Sequence, residues 1–427
     1  MSRTSCIAVV FCVLISSACA NAPTVVPEPG RQPAVATGPQ SQPPGQFVSL
    51  YRFLGRKDGA RPQSALLFAH GLWYGTTPQG GDKRCQCGII FSIDAAGHEN
   101  VAYRFRGGDD GGAPVGGMIE SGDVFYGTAT LGGGTDSYCS GQGYDGGCGT
   151  VFAFDPSSGA ERTVFAFQGR NGGSYPDGDL VAIGGKLYGT TNYGGAYGCD
   201  CGTIFAVDPA HESGKTIYRF TGGKDGSYPD SGLTAIDGTL YGTATGGGSC
   251  DNGKGCGSVF TVQPSGKLHV VHAFVGGDGA DPRSNPIKVN GTIYGTTYDG
   301  GPGCVLDGCG TIYTIDASGS ERLIWVFGID RGDGMHPAGD LAVAHGKVYG
   351  VTQVGGNSKC FRNGGCGTLF AFDPSTGLEA AVHHFVSSDG AWPLGGLTAR
   401  AGVLYGTTDE GGKNDWGTVF SFAPSPH

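Results

Sequence analysis

Gly232-Leu233-Thr234-Ala235-Ile236-Asp237-Gly238-Thr239-Leu240-Tyr241-Gly242-Thr243 contains two short β-prone runs joined by Asp-Gly. That dipeptide is the strongest short-range signal for a two-residue hairpin, because Gly supplies the positive φ the turn needs. A Gly-rich stretch with two cysteines follows, then Ser258-Val259-Phe260-Thr261-Val262, the turn Pro264-Ser265-Gly266 and a last run, Leu268 to Phe274. Lettered a to d in chain order, these runs make one four-stranded antiparallel sheet.

The same grammar recurs along the chain. Tyr-Gly-(Thr/Val)-(Thr/Ala) places its Gly at 75, 127, 189, 242, 295, 350 and 406, at spacings of 52, 62, 53, 53, 55 and 56. A period just above 50 belongs to propeller blades rather than helical solenoids. Every a–b turn ends in Gly: His70-Gly71, Ser121-Gly122, Gly184-Gly185, Asp237-Gly238, Asn290-Gly291, His345-Gly346 and Ala401-Gly402. The seventh unit stops after strand c, Thr418 to Phe422, and lacks strand d. The N-terminal run Val48 to Phe53 resembles the other d strands, such as Val101 to Phe105 and Thr216 to Phe220. The sequence therefore predicts an all-β, seven-bladed β-propeller of four-stranded antiparallel blades over 46–427. The N-terminal strand completes the last blade and removes two open sheet edges. The Tyr of each strand b and the Phe or Tyr of each strand c supply about 14 rings, whose burial contributes on the order of 20–40 kcal/mol.

Composition agrees. Gly makes up 84 of 427 residues, without a collagen period, while 38% of residues are apolar and 10% aromatic. That mixture excludes disorder and fits a chain of many tight turns. The net charge of −10 and the lack of a basic run exclude nucleic-acid binding. No amphipathic helix offers a membrane-surface contact.

At the N-terminus, Arg3 precedes an apolar stretch, Ile7 to Ile15, and small residues from Ser16 to Ala20. Residues 1–20 read as a secretory signal peptide. Ala18-Cys19-Ala20 fits ordinary cleavage, whereas Ser17-Ala18-Cys19 resembles a lipobox that would leave a lipidated Cys19. Residues 21–45, rich in Pro, Gln, Ala and Gly, read as an extended tether. The expected location is extracytoplasmic: secreted, periplasmic or as an outer-membrane lipoprotein, with membrane contact only through that lipid.

Leu187-Tyr188-Gly189-Thr190-Thr191, Gly194-Gly195 and Cys201-Gly202-Thr203-Ile204-Phe205 resemble the GloVer tandem repeat of bacterial surface and secreted proteins, over roughly residues 47 to 422. The resemblance implies a kelch-like propeller outside the cytoplasm and implies no chemistry.

Twelve cysteines form six local pairs in the b–c loops: Cys85 with Cys87, Cys139 with Cys148, Cys199 with Cys201, Cys250 with Cys256, Cys304 with Cys309, and Cys360 with Cys366. Disulfides are expected, since each loop offers two thiols and zinc wants four ligands. Unit seven has Trp416 at that place.

The b–c and d–a loops emerge on one face, which carries all the long connections and hence the expected ligand site. The residues that break the sevenfold pattern lie beside the Pro of each d–a loop: Asp177, Asp179, Asp230, Arg283, Asn285 and Asp340, with His336 and Trp392 just before their prolines. They form a crescent of carboxylates with one Arg. The structural reading is a solvated rim; the functional reading is a polar site, for example for a sugar, with Trp392 and Tyr175 as stacking rings. No nucleophile elbow or H-E-x-x-H is present. We expect a monomeric binding or scaffold module for a glycan or protein ligand, with no cofactor, no metal and no catalytic residue. The alternative is a glycan-active enzyme using carboxylates at the channel mouth.

Overall fold

The computed structural model describes residues 45–134, 139, 146–195, 198–248, 250, 255–303, 309–328, 332–356, 360 and 364–425. All belong to the unit Gly38–His427; the unit Met1–Thr37 lies outside them. The signal peptide, Cys19 and the tether up to residue 44 thus fall outside the described residues, as does Cys304.

Seven four-stranded antiparallel sheets carry the strand order a-b-c-d. Blade 4 shows the pattern: Leu233–Ile236, Thr239–Ala244, Ser258–Val262 and Leu268–Ala273. The a strands touch one another from blade to blade and so line the channel. In blade 7, strand Gln46–Arg52 takes the d position and pairs with Thr418–Ala423. The predicted closure is therefore observed.

Strands b and c are buried on both faces, which is why they carry no polar alternation. The Tyr-Gly-Thr-Thr string has a separate task at each position. The Gly makes room for the ring of strand c: a Cβ at Gly242 would stand 2.6 Å from Phe260 Cζ. The first Thr reaches the next blade, as when Thr190 Oγ1 donates to Ser231 O at 2.7 Å and Thr407 Oγ1 to Ser64 O at 3.1 Å. The second Thr caps its own turn, as when Thr77 Oγ1 donates to Gln79 O and Thr297 Oγ1 to Asp299 O, both at 2.8 Å.

A third set of rings joins the blades. The Phe that ends each d strand meets the strand-c ring of the next blade edge to face, as in Phe220–Phe260 at 5.2 Å and 62°. Phe53, carried by the N-terminal strand, makes the same contact with Phe91 at 5.2 Å and 72°. Such pairs add about 0.5–1.5 kcal/mol each beyond area burial. A clasp strengthens the closing junction: Arg61 of blade 1 reaches Asp409 at 2.8 Å and Glu410 at 2.9 Å in blade 7.

Blade 6 departs from the expected loop. Strand a there extends backwards as Gly334–Ala344, with a register shift between Ala338 and Ala342. His336 and Asp340 consequently sit in a strand rather than in a free d–a loop, because the matching strand b runs on to Gly355 and pairs with it.

Candidate ligand site at the channel mouth

Each d–a loop delivers one residue to the rim in an unusual backbone state. Arg61, Ala113, Tyr175, Tyr228, Asp281, His336 and Trp392, each directly before a Pro, have φ from 52° to 60°. Proline favours an extended residue before it, and a non-Gly residue at positive φ costs about 1–2 kcal/mol. At Ala113, Tyr175, Tyr228, Asp281 and Trp392 two hydrogen bonds hold the conformation. The N–H donates to the preceding blade, as from Tyr228 to Cys201 O at 2.8 Å and from Trp392 to Cys366 O at 3.0 Å. The carbonyl accepts from its own blade, as from Thr245 N to Tyr228 O at 3.1 Å. Seven side chains of six kinds are thus displayed from one backbone geometry.

The predicted site residues resolve into two polar groups. The first joins blades 3 and 4. Asn192 Nδ2 donates to Asp177 Oδ2 at 3.3 Å and to Asp230 Oδ1 at 3.0 Å. Burial, then the neighbouring Asp230 charge, pushes the Asp177 carboxyl up to about 8. Burial also raises Asp230, against the pull of Arg283. Asp177 Oδ1 and Asn192 Oδ1 are closed off without a hydrogen-bond partner among the described residues. Three rings stand beside this group. Tyr193 meets Tyr175 at 5.6 Å and Tyr228 at 5.7 Å, both edge to face, and Tyr228 is 38% exposed.

The second group crosses the channel. Asp179 of blade 3 and Asp340 of blade 6 hydrogen-bond to each other, although other blades separate them on both sides of the ring. Asp340 accepts from Asn285 N at 2.8 Å and from Asn285 Nδ2 at 2.9 Å, while Asp179 accepts from Gly117 N. Burial raises both carboxyls, Asp340 to about 7, and Asp179 adds to the rise. Two carboxylates held together cannot both ionise cheaply, so the pair keeps a shared proton well above the usual carboxylate range. Both residues are half-buried.

Arg283 turns to Asp281 at 2.7 Å and lies 3.9 Å over the Tyr298 ring. His336 stacks on the same ring at 4.5 Å, and its Nδ1 stands 3.1 Å from Asp299 Oδ1. Trp392 is half-buried at the rim of blade 7, on the far side from the tyrosines. Sequence reasoning missed Asn192, Tyr193, Tyr228 and Tyr298. For Asn192 and Tyr298 a signal was available: the position that follows each Tyr-Gly-(Thr/Val)-(Thr/Ala) string reads Pro78, Thr130, Asn192, Thr245, Tyr298, Gln353 and Asp409, as irregular as the rim residues themselves.

Five disulfides hold the b–c loops beneath this rim: Cys85–Cys87, Cys139–Cys148, Cys199–Cys201, Cys250–Cys256 and Cys360–Cys366. Cys309 is disulfide-bonded too. In four blades the glycine after strand d, Gly107, Gly222, Gly276 or Gly328, packs on these sulfurs; in blade 7 the matching Gly55 packs on Trp416. The tryptophan fills the place of the missing pair. This many disulfides belongs to an oxidising, extracytoplasmic compartment.

Comparison with solved structures recovers the fold. An oligogalacturonate lyase in complex with manganese is 12% identical at a TM-score of 0.51, covering 89% of this chain and 93% of that one. The extracellular domain of a putative one-component system from B. thetaiotaomicron is 9% identical at 0.52, covering 88% of this chain and 39% of its own length. An oligogalacturonate lyase from Vibrio parahaemolyticus is 10% identical at 0.50, covering 88% and 92%. At such identities the likeness is one of fold. No curated protein matches. The family model of the Gloeobacter/Verrucomicrobia repeat matches residues 138–305 and 251–427, more than half of the sequence, and the chain belongs to that family.

Proposed function

We propose that this propeller is an extracytoplasmic binding module whose loop face takes a glycan at the channel mouth of blades 3 and 4. One observation carries the reading. Asp177, Asn192 and Asp230 form a polar cluster with two unpartnered oxygens, beside the ring row Tyr175, Tyr193 and Tyr228. A few convergent polar groups against aromatic walls match the general chemistry of small-ligand sites. Asp177, which holds its proton up to about 8, can donate to a hydroxyl, a carboxyl oxygen of Asp230 can accept from one, and the rings can cover a sugar face. Whether the chain is released, periplasmic or lipid-anchored at Cys19 does not alter this face.

A glycan array probed with wild type and Asp230→Ala tests the proposal. We expect wild type to bind a subset of glycans and the variant to lose them; no binding to any glycan would redirect the reading to a protein partner. A second reading, a glycan-active enzyme, draws support from Asp177, which keeps its proton near neutral pH beside a second carboxylate. Asp179 and Asp340 do not serve that reading. They touch, whereas glycosidase pairs stand about 5–9.5 Å apart. Release of new reducing ends from a bound glycan, abolished in Asp177→Asn, would favour the enzyme.

A further inference from the structure

On the outer rim, between blades 4 and 5, lies a cluster that the channel site does not use. His272 is the penultimate residue of the outer strand of blade 4, Leu268–Ala273. Its Nε2 stands 2.9 Å from Asp278 Oδ2 and 3.9 Å from Glu321 Oε2, at the start of the outer strand of blade 5. One ligand atom from each of the three lies within 4.8 Å of the others.

The repeat itself shows what is different here. At the blade 7–1 junction Tyr51 occupies the place of His272, its hydroxyl donating to Asp58 at 2.9 Å with Glu99 within hydrogen-bonding reach. Tyr103, Asp110 and Glu161 repeat this at the blade 1–2 junction. In blade 3, Tyr218 donates to Asp225 at 2.9 Å. The tyrosine hydroxyl is a proton donor between two acids. In blades 4 and 6 an imidazole nitrogen, a metal ligand, stands there instead, His383 lying 3.2 Å from Asp389; among the described residues only His272 is grouped with two acids. Among the described residues Glu321 Oε1 has no hydrogen-bond partner, and only 9% of that side chain is exposed; Glu99 Oε1 and Glu161 Oε1 are equally unpartnered at the tyrosine junctions, so the imidazole is what distinguishes this one. An unmatched buried carboxylate oxygen calls for a cation or a proton.

We propose that His272 Nε2, Asp278 Oδ2 and a Glu321 carboxylate oxygen bind one Zn²⁺ ion that bridges blades 4 and 5. One imidazole with two carboxylates suits a borderline divalent metal, and three protein ligands leave a position for water. The first and second ligands are already oriented. Phe274 meets the imidazole edge to face at 4.8 Å and 83°, and Val275 N donates to Asp278 Oδ1 at 2.9 Å, leaving Oδ2 for the metal. His272 and Asp278 are 22% and 20% exposed, which gives the ion an entry path. On binding, Nε2 gives up its proton and Nδ1 carries the remaining one.

The test is calorimetric titration of the oxidised full chain with ZnCl₂, MgCl₂ and CaCl₂, repeated on His272→Tyr and Glu321→Gln. His272→Tyr installs the residue that blades 1, 3 and 7 already use, so it keeps the blade junction intact. We expect one Zn²⁺ equivalent that raises Tm, weakened roughly tenfold or more in both variants, with Mg²⁺ and Ca²⁺ binding far more weakly. No Zn²⁺ binding, Zn²⁺ affinity unchanged in His272→Tyr, or equal affinity for Ca²⁺ would each overturn the proposal.

Discussion

Asp179→Asn should turn the shared proton of the channel into a visible stability difference. In wild type, Asp340 holds its proton up to about 7, against an ordinary value of 3.8, because burial and Asp179 oppose its charge. A carboxyl whose value is raised in the folded state stabilises the fold at low pH, and that contribution is lost as pH climbs from about 4 through 7. Each tenfold change in proton affinity is worth about 1.4 kcal/mol. Between pH 5 and 8 the pair therefore loses at most about 3 kcal/mol, and water in the channel lowers this to on the order of 1–2 kcal/mol. The amide of Asp179→Asn keeps an oxygen for the Gly117 N–H and offers an N–H to Asp340, which then ionises without a like charge opposite. Urea unfolding followed by far-UV circular dichroism at pH 5 and 8 supplies the measurement. The variant should gain on wild type by about 1–2 kcal/mol between those values. Comparing the two proteins removes the slopes of Asp177 and Glu161, pushed up to about 8, and of Glu99, pushed up to about 7, mainly by burial. Parallel pH profiles would refute a shared proton.

Three further outcomes follow from the packing. Phe53→Ala should cost about 3–5 kcal/mol, as much as Phe220→Ala within the ring, because both rings are fully buried and make the same interblade contact; denaturant midpoints compare them. Arg61→Ala should cost about 3 kcal/mol by removing the cation beside Asp409 and Glu410, which are 5% and 2% exposed, although Asp409 keeps the Gln63 amide; thermal unfolding reads the loss. Tyr228→Gly should stay within about 1 kcal/mol of wild-type stability, since relief of positive φ offsets the added chain entropy, yet it should weaken binding of any array-positive glycan.

Most of the fold was legible because local signals agreed with the global answer. Asp237-Gly238 and its six counterparts fixed the hairpins, and the missing strand d of unit seven matched Val48 to Phe53. The site was legible only in part. Asp177, Asp230, Asp179, Asp340 and Asn285 stood out by breaking the repeat, but their grouping depends on which blades face each other across the channel. Tyr228 and Asp281 were hidden for another reason. They precede proline, which predicts extended backbone, and interblade hydrogen bonds override that preference. The long strand of blade 6 escaped notice because Pro337 lies within it and proline argues against a strand interior.

The most direct test of the binding site compares one array-positive glycan across the two faces of the ring. Calorimetric affinities would be measured for wild type, Asn192→Ala and Tyr193→Ala on the loop face, and Asp237→Ala in an a–b turn on the opposite face. The account predicts at least a tenfold loss for each loop-face variant, about 1.4 kcal/mol, and wild-type affinity for Asp237→Ala. Unchanged binding in Asn192→Ala and Tyr193→Ala, with a loss in Asp237→Ala, would contradict it.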